Sequence, residues 1–328
     1  MSNSTSSGSR SNPSPSSQQV RSPSGSGLPL RQAFRRRLAG KAGAVLFRGL
    51  RALLKGRSQR TKAKLGARLG RAFRAVSRKY RVRCRANLEL AFPELDSARV
   101  ERMAVRVFEH FGTISLRFAV GDMDLDRAAS AEIDLAGTEH IVAAYEKGDG
   151  VLLMTAHFGE WELLPYVLST LGIPCSAVTR RIDEPSLERE IQKRRESQGV
   201  EVFSRGNAAA SMLRALRAGK VVVVLADQNS SESYLPFFGH PTGTVLGPAV
   251  LSLRTGSPMV PAFSAKDPNG RHSVWFQPPL QPCGDWEKES EGLMTAYNQA
   301  VEAAVRKYPD QYLWFHDRWR SARQAGLL

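Results

Sequence analysis

At 328 residues, 42% of them hydrophobic, the chain is long enough for one large α/β domain plus an appendage. Its three cysteines (Cys84, Cys175, Cys283) are odd in number and far apart, and its six histidines are scattered. A disulfide framework and a metal centre are therefore not expected, and a reducing compartment is the natural setting. The formal charge of +16 misleads as an average: residues 1–88 hold 22 Lys/Arg and no acid, while the remainder has 25 basic against 31 acidic residues.

Residues 1–30 read as a disordered tail, because the Ser/Gly/Pro/Asn-rich stretch lacks apolar clusters. Residues 31–60 read as a basic amphipathic helix with Leu46, Phe47, Leu50, Leu53 and Leu54 at helical spacing. Arg48 and Arg51 break the run that a bilayer-spanning helix would need. Two readings stay open: the helix lies in the headgroups of an anionic membrane, or it packs its stripe on the protein and leaves its arginines solvated. Nucleic-acid binding is disfavoured, since Phe47 and Phe73 supply little aromatic interleaving, and a signal peptide is disfavoured by the broken apolar core.

Residues 61–328 form the folded part, helical over 61–125. One or two basic helices are expected from Thr61 to Arg85, with Pro93 closing the element. A long helix follows from about Ser97 to Phe118, with Val100, Met103, Val107, Phe108 and Phe111 on one face. Its His110 reads as a packed or surface residue rather than a ligand. Beyond Asp122 strands and helices alternate. Strands are expected at Ile133–Leu135, Val151–Thr155, Cys175–Thr179, Val200–Phe203, Val221–Ala226, Pro258–Ala265 and Ser273–Gln277. Helices are expected at Glu139–Glu146, Trp161–Leu171, Pro185–Gln198, Ala208–Arg217 and Glu291–Lys307. This pattern predicts an α/β fold with a largely parallel sheet covered by helices.

The chemistry concentrates in VLLMTAHFGEWE, residues 151–162. An apolar strand ends at His157, at the carboxyl end of a sheet where open α/β folds bind ligands. Glu162 follows in an H-x4-E spacing. Folded back from the first helical turn, its carboxylate would hold Nδ1 and leave Nε2 free to deprotonate a hydroxyl. The alternative is a surface histidine beside a solvated helix start. Gly159 permits close backbone approach, and Phe158 and Trp161 can wall the site. Two more polar clusters fall at strand ends: Arg180-Arg181, and Asp227-Gln228-Asn229. Arg194 and Arg195 close the intervening helix. Arginines there suit phosphate or carboxylate groups, or serve as helix-end cations. Residues 234–253 carry no charge but have three prolines and three glycines, so a substrate-facing loop is expected rather than a membrane span. Within it Phe237 and Phe238 face either an acyl chain or the core.

Taken together, HFGEWE, the paired arginines, ADQNSSESYLPFFGHPTGTVLGPAVLSLRTGSPMVPAF and RANLELAFPEL resemble the bacterial lipid A late acyltransferases, over roughly Leu65 to Trp319. The resemblance implies a glycerol-phosphate-acyltransferase-like fold. It implies transfer of an acyl group, from acyl carrier protein or coenzyme A as co-substrate and with no bound cofactor, to a hydroxyl of a membrane lipid. His157 matches the family's base and Glu162 its acidic partner. Arg181, Arg195, Asp227, Gln228, Phe158 and Gly159 are the implied substrate-binding positions. A lipid A precursor is the leading acceptor, with other bacterial glycolipids or aminolipids as alternatives. The implied location is the cytoplasmic face of the inner membrane, held peripherally. The chain departs from the family pattern at Glu160, where members often have Asn, and in lacking an amino-terminal transmembrane helix. The competing class is a non-enzymatic basic adaptor for anionic lipid or nucleic acid, which would have no need of His157 and Glu162 together.

Overall fold

Val151–Thr155 is apolar at every position, as a strand must be when both faces of its sheet are covered. In the computed structural model it is β2, the middle strand of seven. The structure describes Gly49 and residues 52–54, 56–120, 133–179, 188–189, 192, 200–204, 208–267, 269–284 and 286–328. Most of the expected tail and basic helix, the expected helix 185–198, and both Arg181 and Arg195 lie outside the described residues.

The other strands of the sheet are β1 (Ile133–Ala136), β3 (Cys175–Thr179), β4 (Val200–Ser204), β5 (Val221–Leu225), β8 (Met259–Lys266) and β9 (His272–Phe276). Their order is β1-β9-β8-β2-β5-β3-β4, and every pair is parallel except β8–β9. The expected mixed, mostly parallel sheet is what forms. Side chains of β2 alternate between two cores. Leu152 and Met154 join one with Val222 and Phe263, while Val151 and Leu153 join the other with Val221 and Ile141.

Ahead of the sheet the described residues include α1 (Gln59–Val76), α2 (Arg78–Ala91) and α3 (Ser97–Val120). Ser58 caps α1 by accepting the Thr61 N–H. The expected apolar face of α3 is buried throughout, from Val100 to Phe111. Between α1 and α3 the contact is backbone on backbone. A Cβ at Gly70 would lie 1.9 Å from the Phe108 carbonyl oxygen, and one at Gly112 would lie 2.3 Å from that of Gly66. The crossing therefore requires glycine on both helices. Leu54, from the basic segment, is buried with Leu116 beside Leu65, whereas Leu53 is 66% exposed. That part of the stripe splits between protein and solvent.

The helices after β1 are α4 (Thr138–Glu146), α5 (Leu163–Thr170), α6 (Ala208–Arg217), α7 (Gly247–Thr255), α8 (Trp286–Lys307) and α9 (Arg320–Gln324). Part of the expected uncharged loop is instead an antiparallel ribbon, β6 (Ser233–Phe237) with β7 (His240–Thr244). Its turn residues Phe238 and Gly239 have φ of +51° and +74°. Pro236 faces Pro241, two residues that give no N–H to a ladder, so the strand signal is weak in sequence. The ribbon is stabilised from outside: Glu302 of α8 accepts the Phe238 N–H at 2.6 Å, and Phe237 and Phe238 are buried among Trp314, Trp319 and Tyr312. Both phenylalanines therefore face the core, not a substrate groove.

Candidate active site

β2 ends at Thr155, and the chain turns through residues 156–162 before α5. β5 lies alongside in register, Thr155 opposite Leu225, so both strands release their following residues at the same edge. Asp227 thus arrives beside His157 although 70 positions separate them. One carboxylate oxygen takes the ring, Nδ1 to Oδ1 at 2.8 Å, and the other accepts the His157 backbone N–H at 3.0 Å. A carboxylate only accepts, so the ring proton sits on Nδ1 and Nε2 carries the lone pair. Gln228 places its amide nitrogen 3.4 Å from that Nε2.

The carboxylate on Nδ1 is therefore Asp227 and not Glu162. Glu162 stands at the N-terminal boundary of α5, half-buried, and acts on His157 through its charge. The H-x4-E spacing placed an acid near the ring, but the turn leads Glu162 onto the helix while the residues after β5 supply the partner of Nδ1. Burial works against the charged imidazole. The charge and hydrogen bond of Asp227, with the Glu162 charge added, outweigh it and hold His157 above its ordinary value. Burial likewise opposes ionised Asp227. His157, through charge and two hydrogen bonds, and then Arg318 hold it below the usual carboxylate range.

Gly159 has φ +57°, and a Cβ there would lie 1.7 Å from the Ser264 carbonyl oxygen, so no other residue fits. Three backbone N–H groups of the turn are engaged: His157 to Asp227, Phe158 to the Ala156 carbonyl, and Gly159 to the Gln311 carbonyl at 2.8 Å. His110 sits against the Gly159 carbonyl at 3.3 Å. Phe158, expected as a wall, is sealed in the core against Phe263 and Trp275. The wall is Trp161, its ring 5.4 Å from that of His157. Glu160 is buried and gripped by Arg117 of α3 at 2.5 and 2.6 Å. Burial disfavours the ionised form, but Arg117, then His272, Lys266 and His110, hold Glu160 below its usual range. The departure at Glu160 thus comes with a buried cation to meet it.

Residues 312–319, YLWFHDRW, carry functional groups that no spacing in the sequence singles out. Tyr312 bridges to Phe158, and Leu313 donates its N–H to the His157 carbonyl at 3.2 Å. Arg318 is 2% exposed; it donates to the Gln228 carbonyl at 3.0 Å and to the Gly243 carbonyl. Asn87 of α2, also buried, donates to the carbonyls of Trp314 and His316, both at 2.8 Å. The signal available in sequence was composition: Arg and His amid four aromatics are polar groups that a core must satisfy. Among the described residues no group of His, Cys, Asp and Glu is arranged to hold a metal.

A strand-end histidine on a buried aspartate is a general-base arrangement. The profile described as bacterial lipid A biosynthesis acyltransferase matches residues 35–321. The chain belongs to this family of acyltransferases. It is 27% identical over 272 residues to the lipid A biosynthesis lauroyltransferase of Escherichia coli K12, covering 80% of this chain and 86% of that protein. It is 26% identical over 263 residues to the palmitoleoyltransferase of the same organism, covering 78% and 84%. A phosphatidylinositol mannoside acyltransferase of Mycolicibacterium smegmatis is 25% identical over 212 residues, covering 62% and 67%. Among the described residues no helix of this acyltransferase is long and apolar enough to cross a membrane.

Proposed function

We propose that this acyltransferase moves a fatty acyl group from a thioester of acyl carrier protein or coenzyme A to a hydroxyl of a lipid A precursor. The observation that carries the reading is the His157–Asp227 pair, which leaves Nε2 of the ring unprotonated. Nε2 takes the acceptor's proton as its oxygen attacks the thioester carbonyl. The tetrahedral intermediate re-forms the carbonyl, the C–S bond breaks, and the leaving sulfur takes the proton back from the imidazolium to depart as a thiol. Asp227 fixes the tautomer and stabilises the imidazolium, and such a base is worth about two to four orders of magnitude. The Gln228 amide gives way to the acceptor hydroxyl. Glu162 adds negative charge near the imidazolium, and Arg181 and Arg195 bind acidic headgroup or cofactor phosphates. With no Ser or Cys nucleophile in HFGEWE, both substrates bind before transfer and no acyl-enzyme forms. The likeness to a phosphatidylinositol mannoside acyltransferase supports a second reading, in which the acceptor is another bacterial glycolipid.

A lipid acceptor requires approach to the membrane, and in our reading the enzyme is peripheral on the cytoplasmic face of the inner membrane. Besides residues 31–57, the described surface contributes. Leu53, Leu69, Phe73, Val76 and Val82, five of the eight exposed large apolar residues among those described, lie in the acid-free segment with Lys64, Arg68 and Arg71. Cations there add on the order of 1 kcal/mol each at an anionic surface.

Mass spectrometry of lipids from cells expressing wild type or His157→Ala tests the function. The wild type should add one acyl chain to a lipid A precursor that the variant leaves unmodified. Equal acylation by both would refute the assignment.

A further inference from the structure

Acyl transfer to a hydroxyl puts negative charge on the thioester oxygen, and that oxygen needs a donor beside the base. The N–H groups of His157, Phe158 and Gly159 all donate elsewhere within the fold.

The segment closing over the site brings in a second imidazole. His316 is half-buried, and its position is set from two sides. Asn87 pins its carbonyl at 2.8 Å, and the backbone N–H of Asn229 donates to its Nε2 at 3.0 Å. Asn229 is itself fixed, its side-chain oxygen accepting from the Ser321 N–H at 3.0 Å and hydroxyl at 2.9 Å. Three consecutive residues after β5 thus serve two histidines: Asp227 holds Nδ1 of His157, Gln228 reaches its Nε2, and Asn229 holds Nε2 of His316.

An Nε2 that accepts an N–H carries a lone pair, so the neutral His316 ring bears its proton on Nδ1. No group among the described residues pairs with that Nδ1, and it is not one of the sealed, unsatisfied buried atoms. Protonating the ring would break the Asn229 bond. Burial, with the charges of Arg318 and His157 added against those of Asp227 and Asp317, keeps His316 below its ordinary value. Both imidazoles are therefore Nδ1–H tautomers with opposite uses. The Nε2 of His157 carries a lone pair, and the Nδ1 of His316 carries a proton.

We infer that His316 is a second catalytic residue, its Nδ1–H donating to the thioester carbonyl oxygen as charge develops on it. This rests on the proposed acyl-transfer function. A neutral imidazole suits the task, because it donates without delivering its proton to the tetrahedral oxyanion. No bond to His316 forms or breaks.

Two substitutions separate donation from support. In His316→Asn the amide nitrogen sits near the position of Nδ1 and keeps a donor there, while the Asn229 contact is lost. In His316→Gln the amide oxygen reaches the position of Nε2 and keeps the Asn229 contact, while the Nδ1 donor is lost. Thiol release from lauroyl-coenzyme A is followed with a tetraacyl lipid A precursor in detergent. His316→Gln should lose about 10²–10³-fold in kcat with little change in KM and an unchanged melting temperature, the usual cost of one oxyanion donor. His316→Asn should stay within about tenfold of wild type. The inference is overturned if His316→Gln keeps more than a third of wild-type kcat, or if it melts early and both variants lose activity alike. It is also overturned if Gln228→Leu, and not His316→Gln, shows the loss. Activity in His157→Ala would instead refute the proposed function, whatever His316 does.

Discussion

Replacing Asp227 by Asn changes one atom but should invert the chemistry of His157. The amide oxygen can still accept the His157 backbone N–H, at 3.0 Å in the wild type, so the turn need not move. The amide nitrogen then faces Nδ1 at about the present 2.8 Å and can only donate. Nδ1 must become the acceptor, the ring proton moves to Nε2, and the lone pair that takes the substrate proton is gone. The same exchange beside a catalytic histidine costs about 10⁴-fold in kcat in a serine-protease triad, or about 5.4 kcal/mol of transition-state stabilisation. Glu162→Gln removes charge but not the Nδ1 partner, and about tenfold is expected. The pH profile separates the two. Asp227 and Glu162 both raise the His157 value above 6.5, so the wild-type acidic limb of kcat/KM should lie above 6.5. Loss of activity occurs as pH falls through that raised value, because the base must be neutral. Removing the Glu162 charge should move the limb downward. The assay is initial-rate transfer of a lauroyl group to a detergent-dispersed lipid A precursor from pH 5 to 9. Asp227→Asn retaining more than a tenth of wild-type kcat, or Glu162→Gln losing as much as Asp227→Asn, would refute the assignment of Asp227 as the orienting carboxylate.

Glu160→Ala leaves the Arg117 guanidinium buried without its partner, which should cost about 3–5 kcal/mol; calorimetry should show an earlier melt, partly restored by Arg117→Met in the same chain. Gly70→Ala puts a methyl 1.9 Å from the Phe108 carbonyl oxygen, so α1 should separate from α3 and become open to proteolysis, and a wild-type cleavage pattern would contradict the backbone crossing. Phe73→Glu with Val76→Glu should weaken flotation with anionic vesicles several-fold while leaving transfer to a detergent-dispersed acceptor within about twofold, since both residues are exposed on α1. Unchanged flotation would remove that face from the docking surface.

Local pattern was enough for much of this fold. β2 and β3 begin and end where the apolar runs do, and α6 spans the expected Ala208–Arg217, because periodicity and burial act over a few neighbours. His157 was legible for the same reason: a strand ending in a polar residue marks the ligand edge of a parallel sheet. The ribbon of β6 and β7 was not, since its stability comes from α8 and an aromatic cluster remote in sequence.

The partner of His157 shows where local reading stops. Spacing along the chain offered Glu162, five residues away, and it does lie within electrostatic reach. Which carboxylate meets Nδ1 was decided by strand pairing, which sets β5 beside β2 and delivers Asp227 at 2.8 Å. The same holds for Arg117 against Glu160 and for His316 over the strand ends. Sequence determined that a base and an acid, His157 and Asp227, would stand at one edge of a parallel sheet, because each follows an apolar run. Their pairing belonged to the tertiary structure, because a hydrogen bond needs its atoms within about 3 Å, and only the packing of distant segments sets that distance.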